Sequence, residues 1–305
     1  MVFREGSSVI LQSKACKPLM RYFPELVEAM QAVGEKCFVL DGEIVVPHGS
    51  IFSFDHLLQR IHPAESRVRK LARETPAFFI VFDLLADTRG PIDDRPLHER
   101  RKRLEAFAKK NFEHTPSIRL SIMTLKASGA KAWLARVGAA LDGIIAKRRD
   151  LEYRAGDRSG MQKIKNLRSA DCVIGGFRYG AGQKFVGSLL LGLYDSHGLL
   201  NHVGFTSTIS RDRKPALTAK LEKLVAPPGF TGSTPGGPSR WASERSAAWC
   251  PVKPKLVIEV CYDHFSGGRF RHGTRLLRWR PDKSPRQCDM DQVRQRKANL
   301  MKLLG

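Results

Sequence analysis

The 305 residues carry 52 Lys+Arg against 30 Asp+Glu, a formal net charge of +22, with 42% hydrophobic residues. A chain of that length builds a sizeable core, in two domains, and its excess of cations points to a polyanion, most simply nucleic acid. No apolar run reaches membrane-spanning length and the start, MVFREGSSV, has no apolar targeting core, which argues against a membrane partner.

RYFPELVEAMQAV predicts a helix with Pro24 at an allowed early position. FVLDGEIVV, residues 38–46, follows as a strand rich in Val and Ile. FSFDHLLQRI reads as helical and AFFIVFDLLA as a second buried strand. PLHERRKRLEAFAKK predicts a basic helix with Leu97, Leu104, Phe107 and Ala108 on one stripe and charge elsewhere. KAWLARVGAAL is a further helix and LDGIIAK a short strand. After about residue 168 the pattern changes to short strands between turns: ADCVIGGFRYG, SLLLGLYD, LLNHVGFTS, LVIEVCYDHF and TRLLRWRP. One helix, KPALTAKLEKLV, interrupts them, and residues 226–240, rich in Pro and Gly, read as an exposed loop. Such spacing predicts a small β-barrel or sandwich.

The six cysteines form no C-x-x-C and no zinc-ligand spacing with histidine, so they read as free thiols in a reduced cytoplasm. The chain holds no P-loop, no G-x-S-x-G and no H-E-x-x-H. What stands out is DGE inside FVLDGEIVV. Side chains alternate along a strand, so Asp41 and Glu43 share a face with Val39 and Val45. Buried carboxylates need a partner or a metal, unless the strand end is solvated. Three more stretches pair with DGE: LDGIIAK, with Asp142 and Lys147; MQKIKN, with Lys163 and Lys165 on one face; and RLLRWRPDK, with Arg278 and Arg280 on one face, followed by Asp282 and Lys283. Together they suit phosphoryl or nucleotidyl transfer. Glu43 and Asp142 would hold a divalent metal, Lys147, Lys163 and Lys165 would neutralise phosphates, Phe82 would stack on a base, and the arginines would close over the phosphates.

The order DGE, FDLL, DGIIAK, KIK and RLLRWRPDK resembles the nucleotidyltransferase motifs of ATP-dependent DNA ligases, most of all the bacterial end-joining type that includes the ligase module of ligase D. KPLMRYFPEL, QRIHPA, VGSLLLGLYD, GGPSRW, YDHF and RFRH look like the same subfamily. The resemblance implies an α+β fold, with a nucleotidyltransferase (adenylation) domain over residues 1–168 and an OB-fold β-barrel over 169–305. It implies that Glu43 contacts the adenylate ribose, Phe82 stacks on adenine, Asp142 helps bind metal, and Lys147, Lys163 and Lys165 contact phosphate. Arg280, Asp282 and Lys283 would orient the leaving pyrophosphate. ATP as AMP donor, Mg2+ or Mn2+, nicked or broken duplex DNA and end-joining proteins are the implied cofactors and partners. The setting is DNA repair and recombination by a monomer in a bacterial cytoplasm, beside the nucleoid.

The family's nucleophilic lysine, in K-x-D-G, is absent from these residues, and its place in the family lies upstream of the stretch that resembles VFREGSSVILQSK. The expectation is a polypeptide that starts inside the first hairpin and does not adenylylate itself. Lys14 stands where the family usually has arginine, keeping charge but losing a bidentate donor, and Asp142 replaces the usual glutamate. A non-catalytic nick-binding protein is the alternative reading, and an RNA ligase or capping enzyme a more distant one. LHERRKRLEAFAKK and RDLEYRAGDRSGMQKIK are candidate DNA-facing stretches.

Overall fold

A computed structural model describes residues 1–49, 51–137, 143–236 and 248–294. The chain divides into two compact units, the first built on Met1–Ile164 and the second beginning at Lys165.

The first unit is a sheet with helices packed on it. Its strands run in the order Ser8–Leu11, Val2–Glu5, Cys37–Val45, Phe78–Asp87 and Gly90–Pro91, all antiparallel, with Ile118–Leu120 parallel to Phe78–Asp87. Phe38, Leu40, Phe79, Val81 and Leu84 supply the core from the sheet. Leu26 and Met30 of the helix Pro24–Ala32 and Leu104 and Phe107 of the helix Leu97–Asn111 close over them. Pro24 starts its helix at the first position, where a missing N–H costs nothing. At the other end of that helix the buried Arg4 side chain donates to the carbonyls of Met30 and Val33, which have no partners within the helix. Arg60, fully buried, donates to both oxygens of Glu25 at 2.7 and 2.9 Å and to the carbonyls of Tyr22 and Thr75. The strands Gly143–Lys147 and Met161–Lys165 pair with each other as a separate ribbon.

The basic helix departs from its sequence reading at one residue. Arg100 lies on the apolar stripe, four residues before Leu104, and is buried with it. The charge is therefore not all on the outer face.

The second unit is an antiparallel sheet ordered Leu200–Thr206, Val186–Tyr194, Arg168–Tyr179, Val257–Tyr262 and Arg275–Trp279. It curls until its edges meet, where Thr206 bridges Thr274 and its hydroxyl donates to the Thr274 carbonyl. The interior holds Val173, Leu189, Leu191, Val203, Ile258 and Val260. The helix Lys214–Glu222 contributes Leu217 and Leu221. The loop expected to be exposed is corrected at Phe230, which is buried in this core. Gly175 and Gly192 make room for its ring; a Cβ on Gly175 would stand 2.5 Å from it. Residues 237–240 of that loop lie outside the described residues. No described helix is long and apolar enough to cross a membrane.

Candidate active site

The two central strands of the first unit do not pair evenly. Their register runs Val39↔Ala86, Leu40↔Leu84, Asp41↔Asp83 and Gly42↔Val81. Leu85 and Phe82 are therefore each one residue in excess, two β-bulges within four positions. Bulges re-aim side chains, and the second frees Phe82 from the ladder beside Asp41. Gly42 is fixed by the close approach of the strands: a Cβ there would stand 2.6 Å from the Ile80 carbonyl oxygen and from the Phe79 ring.

Asp41 and Asp83 face each other across this register. Two adjacent carboxylates repel unless each is compensated. Asp83, 2% exposed, accepts from Arg100 Nε and Nη2 at 2.9 Å each and from the Leu84 N–H. Asp41 accepts from the Gly42 N–H at 3.0 Å and from the Tyr153 hydroxyl at 2.9 Å. Arg100 also donates to the carbonyls of Arg95 and Leu151, and its guanidinium lies 5.8 Å from the Tyr153 ring centre. Burial, and then the Asp41 charge, push the Tyr153 hydroxyl well above the ordinary tyrosine pKa, so it stays a donor.

Beside these carboxylates the Lys147 ammonium sits 4.4 Å from the centre of the Phe82 ring. Burial draws its pKa below the ordinary lysine value, Asp83 and Asp41 resist, and Arg100 and Arg101 add to the pull. Phe82 and Lys147, 65 residues apart in sequence, are thus brought together as a cation over an aromatic face. Glu43 is exposed on its strand, opposite Ile80. Lys163 lies mid-strand in Met161–Lys165 and is exposed. Lys14 is exposed, and Asp142 lies outside the described residues.

In the second unit Arg280 donates to Asp282 at 2.9 Å and to both oxygens of Asp171 at 2.9 and 3.1 Å, while Lys283 donates to Asp171 at 2.7 Å. Arg278 pairs with Glu259, which stands opposite Asp171 on the neighbouring strand, so Arg278 and Arg280 each meet one carboxylate of this facing pair. Lys165 donates to Asp263 at 2.8 Å, and His272 Nδ1 lies 3.1 Å from the same carboxylate. Asp41 was singled out in the sequence without a role; Asp83, Arg100, Tyr153, Asp171 and Asp263 were not found. The one available signal was Asp83 within the apolar run IVFDLL, a charge that a strand core accepts only with a partner.

Among the described residues no three His, Cys, Asp or Glu side chains come together as a metal site. Asp41 and Asp83 are already occupied by hydrogen-bond donors.

The ATP dependent DNA ligase domain family matches residues 1–165, and the ATP dependent DNA ligase C terminal region matches residues 182–283. The chain belongs to the ATP-dependent DNA ligase family. This ligase is 40% identical to DNA ligase C2 of Mycolicibacterium smegmatis, over 96% of this chain and 86% of that protein. It is 31% identical to the multifunctional non-homologous end joining DNA repair protein LigD of Mycobacterium tuberculosis, over 93% of this chain and 35% of that protein. Among solved structures, a Lig E DNA ligase superposes with a TM-score of 0.53 at 14% identity, covering 92% of this chain and 91% of that one. The ligase therefore has the expected fold, an adenylation domain followed by an OB-fold domain. ATP use and a DNA substrate follow from the family.

Proposed function

We propose that this ligase seals 3′-hydroxyl/5′-phosphate breaks in duplex DNA during repair and recombination, acting as a monomer with end-joining proteins as partners. Residues 1–168 would form the adenylation domain and 169–305 the OB-fold domain. The observation that carries the reading is the Lys147 ammonium poised over Phe82 beside two compensated carboxylates. Phe82 offers adenine a stacking face, and Lys147 offers a phosphate oxygen a cation in a partly dry site, where electrostatic stabilisation is strong. Glu43 would contact the ribose, and Lys163 and Lys165 further phosphate oxygens. Arg280, Asp282 and Lys283 would orient pyrophosphate. ATP would enter as its Mg2+ or Mn2+ complex, with Asp142 and Glu43 as the acids facing the metal.

In this chemistry an amine attacks the α-phosphorus of ATP and pyrophosphate leaves. The AMP then passes to the 5′-phosphate, and the 3′-hydroxyl attacks that phosphate with release of AMP. The 305 residues contain no K-x-D-G, so the claim for them alone is the last step, which needs charge stabilisation rather than the covalent amine. A nick carrying a preformed 5′-adenylate tests it: the polypeptide should seal the nick with magnesium, and Lys147→Ala should slow sealing by about 100-fold. Binding of the nick without any sealing would favour the non-catalytic reading. AMP appearing covalently on this polypeptide after incubation with ATP would overturn the expectation that it does not adenylylate itself.

A further inference from the structure

A lysine next to two carboxylates ordinarily joins one of them. Lys147 does not: among the described residues its amine makes neither a hydrogen bond nor an ion pair, only the contact with Phe82. Both carboxylates are already compensated by other donors, which lowers what Lys147 would gain by joining them. Asp83 is taken up by both prongs of Arg100 and the Leu84 N–H. Asp41 is taken up at one oxygen by the Gly42 N–H and at the other by the Tyr153 hydroxyl. The groups that face Lys147 electrostatically are therefore Asp41, Asp83, Arg100 and Arg101, with Tyr153 and the Met1 amino group against Asp41.

We infer that Tyr153 is a positioning residue, whose hydroxyl compensates the charge of Asp41 and so favours the Lys147 amine over Phe82, unpaired among the described residues and open to a nucleotide phosphate oxygen. This rests on the reading of Lys147 as a phosphate contact. Arg100 does the same for Asp83, but its burial makes it a structural residue as well. Tyr153 is only half-buried and can lose its hydroxyl alone. Without that donor the Oδ2 of Asp41 loses the hydrogen bond that compensates its charge, beside a half-buried ammonium. The cheapest replacement is Lys147 itself, which swings from the ring to the carboxylate and is lost to the nucleotide.

The test compares the full 305-residue chain with Tyr153→Phe. Magnesium-ATP is titrated calorimetrically into each, and the Lys147 Cε resonance, assigned with Lys147→Arg, is followed against pH. Tyr153→Phe should bind ATP about tenfold more weakly, the scale of one hydrogen bond to a charged group. Its Lys147 should titrate at a higher pH than in the parent chain, closer to ordinary lysine. A change of packing alone would weaken the fold without moving that titration upward. Equal affinity together with an unchanged Lys147 titration would overturn the inference. If the parent chain binds no ATP, the nucleotide reading fails instead, and the titration still decides the matter: upward movement supports the role of Tyr153, and no movement refutes it.

Discussion

The Asp171 carboxylate holds Arg280 and Lys283 at once, with Nη1 of the arginine at 2.9 Å and Nζ of the lysine at 2.7 Å. Both cations come from the segment after the last strand of the second unit, and Asp171 from its central strand. One carboxylate thus gathers two of the charges assigned to pyrophosphate. Asp171→Asn keeps the shape and removes the charge. The second unit should lose about 1–3 kcal/mol, read as a lower midpoint in guanidinium unfolding, and Asp282→Asn should cost less because Asp282 is exposed. Equal losses for the two variants would remove Asp171 from this role.

Arg60 and Glu25 form a nearly dry pair in the first unit, with the arginine fully buried and the glutamate 17% exposed. Breaking such a pair leaves one charge stranded, at a cost of about 3–5 kcal/mol. Arg60→Met should therefore lower thermal stability sharply. Arg60→Met combined with Glu25→Leu should recover part of the loss, since no stranded charge remains. A double variant as unstable as the sum of its parts would show that the pair is held by its backbone contacts instead.

Gly42→Ala should destabilise the first unit by about 1–3 kcal/mol, because the new methyl meets the Ile80 carbonyl and the Phe79 ring at 2.6 Å. The Gly49→Ala change, where nothing lies within 4 Å but φ is +61°, isolates backbone strain from crowding. If Gly42→Ala unfolds at the parent temperature, the strands have more room than their register implies.

Burial alone would raise the Asp263 carboxyl, but hydrogen bonds from Lys165 and His272 overcome it and bring it down to about 2. Its folded value lies below its unfolded value of about 3.9. The stabilisation is thus complete above about pH 4 and disappears as pH falls through 4 toward 2. Discounted for its exposed partners, it amounts to about 1–2 kcal/mol. His272→Ala should raise the Asp263 titration, seen by carboxyl NMR, and shrink the loss of stability in that window. An unmoved titration would mean that Lys165 alone sets it.

Much of the fold was legible because periodicity and turn chemistry are local. DGE, FDLL, KPALTAKLEKLV and the short strands after residue 168 fall on the elements they predicted. The site was half legible. Phe82 and Lys147 could be named from motif order, and they do meet. Their supports could not, because Arg100 looks like any other charge on a basic helix and Tyr153 sits in a polar stretch with no period. Each acquires meaning only through Asp83 and Asp41, which lie 17 and 112 residues away. Phe230 was misread for a related reason: Pro and Gly around it signal a loop, and the cavity left by Gly175 and Gly192 that draws the ring inward is formed by strands distant in sequence.

The excess residue at Phe82 has a consequence for how this sheet tolerates change. Removing Phe82 would let Asp83 and Leu84 fall into even pairing with the DGE strand, leaving Leu85 as the one remaining excess residue of this ladder. Such a deletion shortens the chain without opening the core, yet it strips away the ring that Lys147 rests on. An even ladder and a ring beneath the Lys147 ammonium therefore exclude each other at this one position.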